Sequence, residues 1–130
     1  MIFDAGNLFL DQKAASTYGT TAAYSDNVVA NTGGGDAYEA CWLAVLVTGA
    51  ATAGGNLTIT LQTSDVEAFS SGVVDLFSKV VATGSIGEVI AVRVPVGAKK
   101  FLRLKLQGSA SITGAGKITA GLVADADIKA

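Results

Sequence analysis

Few side chains in this sequence have the chemistry that catalysis or metal binding requires. Among its 130 residues there is no histidine, and there is one cysteine, Cys41. The absence of histidine excludes the Ser-His and Cys-His pairs that activate nucleophiles, and it leaves Cys41 without a base. Asp125 and Asp127 have no further oxygen ligands beside them, so we predict no metal and no cofactor. We therefore expect a protein that is not an enzyme and has no catalytic residues.

The side chains best suited to binding lie at alternate positions of one segment. From Lys100 onward every second residue is apolar, which is the pattern of a half-buried strand. Phe101 and Arg103 then lie on the face that points away from the core. Arg93, at the end of the preceding apolar segment, is expected to lie outward and close to Arg103 if the two strands pair. These residues form either a solvated basic stripe or a contact surface for an acidic partner, with Phe101 as its apolar anchor.

The N-terminal segment is apolar but has no strand pattern. Its hydrophobic side chains include Ile2, Phe3, Leu8 and Phe9. Asp4 and Gly6 interrupt any alternation between them. Such side chains must pack on something, either the chain's own sandwich or a partner, because termini are ordered only when they are tied down. We therefore add these four residues to the candidate partner contacts. We divide the chain into an N-terminal arm or contact segment, residues 1–16, and a β-sandwich domain, residues 17–130.

Apolar segments separated by glycine-rich turns predict the elements that position these residues. The predicted strands are Asn27–Asn31, Tyr38–Thr48, Leu57–Thr63, Val73–Ser78, Val89–Val94, Lys100–Gln107 and Lys117–Val123, with a weaker one near Thr17–Ala22. Short strands at this spacing are typical of sandwiches and jelly rolls. The predicted fold is all-β: a single-domain jelly-roll β-sandwich of about eight antiparallel strands.

One short segment has a helical signal. Ser64 and Glu67 are spaced as a capping box, in which Ser64 accepts a hydrogen bond from the amide of Glu67. This pattern predicts one or two helical turns that end at Gly72.

Composition narrows the class of protein further. Hydrophobic residues make up 50% of the chain and charged residues 15%, which argues against disorder. A pI near 4.8 argues against direct binding to nucleic acid. Residues 1–78 contain eight acids and one base, whereas residues 79–130 contain three acids and eight bases, so the net charge of −2 hides two segments of opposite sign. Without a basic N-terminal region or a long apolar run, the chain is expected to be neither secreted nor in a membrane, and the lone cysteine fits a reducing compartment.

The order of several motifs resembles one known family. These motifs are Met1–Phe9, Leu57–Asp65, Ala68–Phe69, Val94–Gly97, Phe101–Leu104 and Ile118–Val123. Together they resemble the capsid cement proteins of short-tailed double-stranded-DNA phages such as the Bordetella phages, and the resemblance runs nearly end to end. It implies a jelly-roll virion protein, made in the host cytoplasm and located on the outer surface of the capsid. There it would bind the major capsid protein and stabilise contacts between its subunits.

The resemblance also implies self-association, as a homodimer or a trimer. We expect the contact between copies to be made by sheet edges or by the N-terminal segment. The alternative function is a carbohydrate-binding jelly-roll module for decoration or adhesion. That function needs an exposed aromatic platform, for which Tyr18, Tyr24 and Tyr38 are the candidates.

Overall fold

A computed structural model of the chain describes residues 8–14, 18–30, 42–48, 51–53, 56–82, 87–93, 99–110, 113–114 and 116–123. Over these residues all regular secondary structure is β-strand, which confirms the predicted all-β class. The strands are β1 (Leu8–Ala14), β2 (Ala23–Tyr24), β3 (Val29–Ala30), β4 (Trp42–Thr48), β5 (Ala51–Ala53), β6 (Leu57–Ser64), β7 (Val74–Val81), β8 (Gly87–Arg93), β9 (Phe101–Gly108), β10 (Thr113–Gly114) and β11 (Lys117–Val123). The described part of the chain contains no helix of the length and apolarity that a membrane span requires.

The strands form two antiparallel sheets that share one core. Sheet A has the order β1-β11-β4-β8, and sheet B has the order β2-β9-β6-β7, with β3 also paired to β9. A short ribbon of β5 and β10 stands apart from both sheets. One continuous cluster of buried side chains includes Leu43 and Ile118 from sheet A and Leu61 and Leu104 from sheet B. The two sheets therefore pack face to face as a β-sandwich.

The pairing of the strands is nested along the chain. β2 and β3 follow one another along the same edge of β9, so they act as one interrupted strand. If they are counted so and the β5–β10 ribbon is set aside, eight strands remain. The first of these eight pairs with the last, the second with the seventh, the third with the sixth and the fourth with the fifth. Pairs of this kind join residues far apart in sequence, so the sheets depend on non-local contacts.

The predicted strands agree with the observed ones where the alternation is regular. Lys117–Val123 is found with the predicted bounds, β6 ends one residue later than predicted, and β9 begins and ends one residue later than predicted. The weaker prediction near Thr17–Ala22 is wrong, since residues 18–22 lie outside strands and β2 begins at Ala23.

β1 was not predicted, and it joins the sandwich. Leu8–Ala14 pairs with β11, and Phe9 and Leu10 are completely buried in the core. Of the two packing partners considered for this segment, the chain's own sandwich holds these residues. The register of β1 shifts between Leu8 and Leu10 and again before Lys13, and Gln12 has a φ of 51°. These bulges break the two-residue alternation, which explains why the sequence pattern gave no strand there.

The residues between β2 and β3 tie the two sheets together. The Ser25 amide donates to the Leu104 carbonyl at 2.8 Å, and the Leu104 amide donates to Ser25 Oγ at 3.1 Å. Two residues later, Asn27 Nδ2 donates to the Leu8 carbonyl and its amide to the Phe9 carbonyl, both at 3.3 Å. These bonds cover part of the outer edge of β1, which would otherwise expose unpaired backbone groups.

The predicted helical turns after Ser64 are wrong. Residues 65–73, here called the β6–β7 loop, contain bends and a turn but no helix. Ser64 Oγ accepts from the amide of Val66 at 3.0 Å instead of Glu67, and it donates to the Ser71 carbonyl at 2.8 Å. One side chain therefore holds both ends of the loop. Gly72, predicted to end those turns, lies near the end of this loop with a φ of +65°, which a residue with a Cβ rarely adopts.

Candidate functional site

A cation held between two aromatic rings stands out on the outer face of sheet B. The Arg103 guanidinium carbon lies 3.8 Å from the centroid of the Tyr24 ring and 4.3 Å from the centroid of the Phe69 ring. Both distances are within the range of cation–π attraction. The guanidinium is therefore in contact with one ring from β2 and one ring from the β6–β7 loop.

Hydrogen bonds fix the same guanidinium in its plane. Arg103 Nε donates to Gln62 Oε1 at 2.9 Å, and Gln62 Nε2 donates to Asp75 Oδ1 at 2.9 Å. Gln62 is only 6% exposed, so its amide has few alternatives to these two partners. We call these five residues, Tyr24, Gln62, Phe69, Asp75 and Arg103, the Arg103 cluster.

Strand register brings the polar members of the cluster into one row. Gln62 of β6 lies opposite Arg103 of β9 on one side and opposite Asp75 of β7 on the other. A register shift between Leu61 and Gln62 leaves Leu76 as an extra residue on β7. This bulge places Asp75 on the outer face beside Gln62, where regular alternation from Phe77 would have turned it toward the core.

The aromatic members come from a strand and from the β6–β7 loop. Tyr24 is on β2 and lies opposite Lys105 of β9, which is two residues from Arg103 on the same face of that strand. Phe69 adopts a φ of 53°, and its amide donates to the Val66 carbonyl at 2.9 Å. Because Ser64 ties this loop at both ends, Phe69 is held in place although it lies outside any strand.

The surroundings of the cluster on sheet B carry further positive charge. Lys105 is half-buried on the outer face and Lys100 is exposed at the start of β9. Among the described residues, the one ion pair is Lys13–Asp26 at 3.1 Å. Within that part of the chain, then, no carboxylate lies within ion-pair distance of Lys100, Arg103 or Lys105.

The contact residues predicted from the sequence do not lie on one surface of the protein. Phe101 and Arg103 lie on the outer face of β9, as predicted, and both are half-buried. Arg93 is exposed on β8, opposite Trp42 in sheet A. The prediction that Arg93 and Arg103 are neighbours is therefore wrong, because β8 pairs with β4 and not with β9.

The N-terminal candidates are also separated. Phe9 is fully buried within its own sandwich, which removes it from the contact surface, and Leu8 is half-buried in β1. Ile2 and Phe3 lie outside the described residues, as does Cys41.

Most of the cluster does not follow from the pattern of the sequence. That pattern predicts no role for Gln62, Phe69 or Asp75, and it offers Tyr24 only as part of a sugar platform. A signal did exist in β6, where Thr60 and Gln62 place polar groups at alternate positions of an apolar strand. Their burial, at 7% and 6% exposed, indicates that they face polar partners on neighbouring strands.

The tyrosines do not form one platform. Tyr18 is 2% exposed within the core. Its pKa is raised to about 12, mainly by burial and to a smaller extent by the nearby negative charge of Asp26. Its hydroxyl is the one buried side-chain polar atom without a hydrogen-bond partner among the described residues. Tyr24 is 46% exposed and stacks on Arg103, and Tyr38 lies outside the described residues.

The described residues contain no group of three or more cysteine, aspartate or glutamate side chains arranged to hold a metal ion. The sequence matches no protein-family model and no curated protein.

Proposed function

We propose that this protein is a capsid cement protein, a structural component that binds the outside of a phage capsid and stabilises contacts between subunits of the major capsid protein. The proposal is supported by the order of sequence motifs that resemble that family and by the two-sheet sandwich that the described residues form. Three of the six motifs lie on strands of the described sandwich: Leu57–Asp65 covers β6, Phe101–Leu104 begins β9 and Ile118–Val123 ends β11.

The observation that supports the proposal most is the nested strand pairing. A long antiparallel hairpin of eight strands pairs the first strand with the eighth, the second with the seventh, the third with the sixth and the fourth with the fifth. When such a hairpin rolls up, its pairs divide between two packed sheets, which is the jelly roll. We propose this topology for the chain, since the orders of sheets A and B follow that rule.

A sandwich of this kind is physically suited to bridging joints in a shell. Its contacts are non-local, so the two sheets resist local opening when the joint is pulled. Each copy needs only modest affinity, because a closed shell repeats the same site and a dimer that touches two subunits gains from effective concentration.

We propose a homodimer, with a trimer as the alternative, and we place its contact away from the edge of β7. That edge has a bulge at Leu76, and Lys79 lies opposite the buried Ile59 on the core side of the sheet. Bulges and inward-pointing lysines are two devices that hinder another strand from pairing with an edge. The edge of β8 and the segment that precedes β1, with Ile2 and Phe3, remain candidates for the contact with the sister subunit, and that segment is also a candidate for a contact with the capsid.

The carbohydrate-binding alternative is less well supported. Of the three tyrosines it would use, Tyr18 is buried and Tyr24 has one ring face occupied by Arg103. A sugar platform needs flat aromatic faces open to solvent.

Co-sedimentation tests the proposal directly. Undecorated capsids of the phage that encodes this chain are mixed with the purified protein, pelleted and then heated to follow DNA release. We expect the protein to pellet with capsids and to raise the temperature of DNA release. Failure of the intact protein to bind these capsids would contradict the cement function.

A truncation separates the segment before β1 from the sandwich. A variant that lacks residues 1–7 keeps β1, so it is expected to fold but to bind capsids more weakly. Full binding and full heat protection by this variant would eliminate Ile2 and Phe3 as contacts, without affecting the wider proposal.

A further inference from the structure

We propose that the outer face of sheet B, centred on Arg103, is the surface that contacts the capsid, and that Arg103 binds a carboxylate on an acidic segment of the capsid protein. This inference rests on the proposed function and names the contact that it requires. The geometry of the guanidinium, its prior immobilisation and the charge of the face each support it.

The guanidinium has two further nitrogen donors besides the one that the cluster engages. Its central carbon lies over the rings of Tyr24 and Phe69, and its Nε is bonded to Gln62. The two Nη nitrogens have no hydrogen-bond partner among the described residues. Paired N–H groups of this kind match the two oxygens of a carboxylate in a bidentate bond, which an ammonium group cannot reproduce.

The cluster fixes Arg103 before any partner arrives. Arginine has a long side chain, and ordering it on binding normally costs conformational entropy. Here two rings and a chain of two 2.9 Å hydrogen bonds through Gln62 to Asp75 already restrict it. The contact with a partner can therefore form without that cost.

Charge favours an acidic partner. Lys105 lies two residues further along the same face, about 7 Å away along a strand. Among the described residues neither it nor Arg103 has an ion-pair partner, and Asp75 is engaged by Gln62. Val80, 56% exposed, and Tyr24, 46% exposed, add apolar surface on the same side of the sheet. An arginine beside aromatic side chains is typical of a protein interface rather than of a solvated stripe.

Two substitutions on sheet B test the inference, with a matched control on sheet A. Arg103→Lys keeps the charge but loses the fork and the stacking, and Lys105→Ala removes a charge that makes no described contact. Arg93→Ala removes the exposed arginine of β8 on the opposite sheet. The measurement is the Kd for undecorated capsids at about 150 mM salt and at lower salt, with thermal unfolding of each variant as the check on folding.

We expect Arg103→Lys to weaken capsid binding by about tenfold or more, the size of one lost charge-assisted hydrogen bond. Lys105→Ala should weaken binding mainly at low salt, where exposed charges are least screened. Arg93→Ala should bind as the intact protein does. A large loss for Arg93→Ala beside full binding by Arg103→Lys and Lys105→Ala would overturn the inference and move the contact to sheet A, while the cement function would stand.

Competition identifies the chemistry of the contact. A glutamate oligomer should displace the intact protein from capsids, whereas a glutamine oligomer of the same length should not. Displacement by neither oligomer would contradict the carboxylate. Displacement by a neutral oligosaccharide would overturn the inference, because the group bound at Arg103 would then be a sugar and not a carboxylate. If the intact protein binds no capsid at all, it is the proposed function that fails.

Discussion

The two faces of sheet B are built from the same strands but have opposite chemistry. On the inner face, Leu102, Leu104 and Leu106 are completely buried against sheet A. On the outer face, the same strand β9 presents Phe101, Arg103 and Lys105, all half-buried. Alternation along one strand therefore separates a stabilising surface from a surface that carries charge and hydrogen bonds.

The difference shows how polar groups are tolerated near the core. Thr60 and Gln62 on the outer face are 7% and 6% exposed, yet Thr60 Oγ1 lies 3.2 Å from Ser78 Oγ and Gln62 bonds on both sides. Burial of a polar group carries little penalty when its partners are present. In the core between the sheets, by contrast, the Tyr18 hydroxyl has no described partner. We conclude that polar residues are stable on the outer face because they form hydrogen bonds with one another.

The largest expected effect is on the inner face. Leu104→Ala should lower the free energy of unfolding by about 2–5 kcal/mol, because it removes buried methyl groups and leaves a cavity. Leu43→Ala tests the facing sheet and should cost a similar amount, since both side chains are 0% exposed in one cluster. Denaturant titration measures both losses. Thr58→Ala, half-buried on the outer face of β6, is the control and should change stability by no more than about 0.5 kcal/mol.

If Thr58→Ala cost as much as Leu104→Ala, the assignment of inner and outer faces would be wrong. If Leu43→Ala alone had little effect, the two sheets would not share a core.

An intermediate effect is expected on the outer face. Gln62→Ala removes the acceptor of Arg103 Nε and the donor to Asp75, so it should lower the free energy of unfolding by about 1–3 kcal/mol. Gln107→Ala is the matched control, because Gln107 is exposed and bonds only to the Thr20 carbonyl at 2.9 Å among the described residues. It should cost no more than about 0.5 kcal/mol. Equal losses for the two variants in the same titration would show that the Arg103 cluster is not a connected network.

Alternation in the sequence was enough to predict the all-β sandwich and the faces of β9. The prediction succeeded there because β6 and β9 pair without a shift from Leu57 to Ser64. It failed at β1, where bulges and the positive φ of Gln12 disrupt the pattern, and at the Ser64 segment, where the hydroxyl caps a loop amide rather than a helix.

The candidate site was harder to predict than the fold. Phe101 and Arg103 followed from alternation, whereas the pairing of Arg103 with Gln62 depends on which strands are neighbours. Sequence adjacency suggested β8 as the neighbour of β9, but nested pairing places β6 there and moves Arg93 to the other sheet. Phe69 depends on a single positive φ in a loop, which no periodic pattern encodes. Thr60 lies on the outer face of β6 and is nearly buried, with its hydroxyl 3.2 Å from Ser78 Oγ on the neighbouring strand.

The smallest expected effect concerns Tyr18 in the core, where a substitution should raise stability and not lower it. Tyr18→Phe removes a buried hydroxyl without a described partner, so at neutral pH it should leave stability unchanged or raise it by up to about 1 kcal/mol.

The ordinary pKa of tyrosine is about 10, and burial raises that of Tyr18 to about 12. Between these pH values the unfolded chain loses the proton while the folded chain keeps it, so the intact protein should lose stability as pH rises from about 10 to about 12. The measurement is the difference between the denaturant midpoints of the two proteins at neutral pH and near pH 11. Because phenylalanine does not titrate, the difference should grow in favour of Tyr18→Phe at the higher pH. A marked loss of stability in Tyr18→Phe at neutral pH would show that the hydroxyl has a hydrogen-bond partner. The core between the sheets would then contain a polar contact, as the outer face of sheet B does.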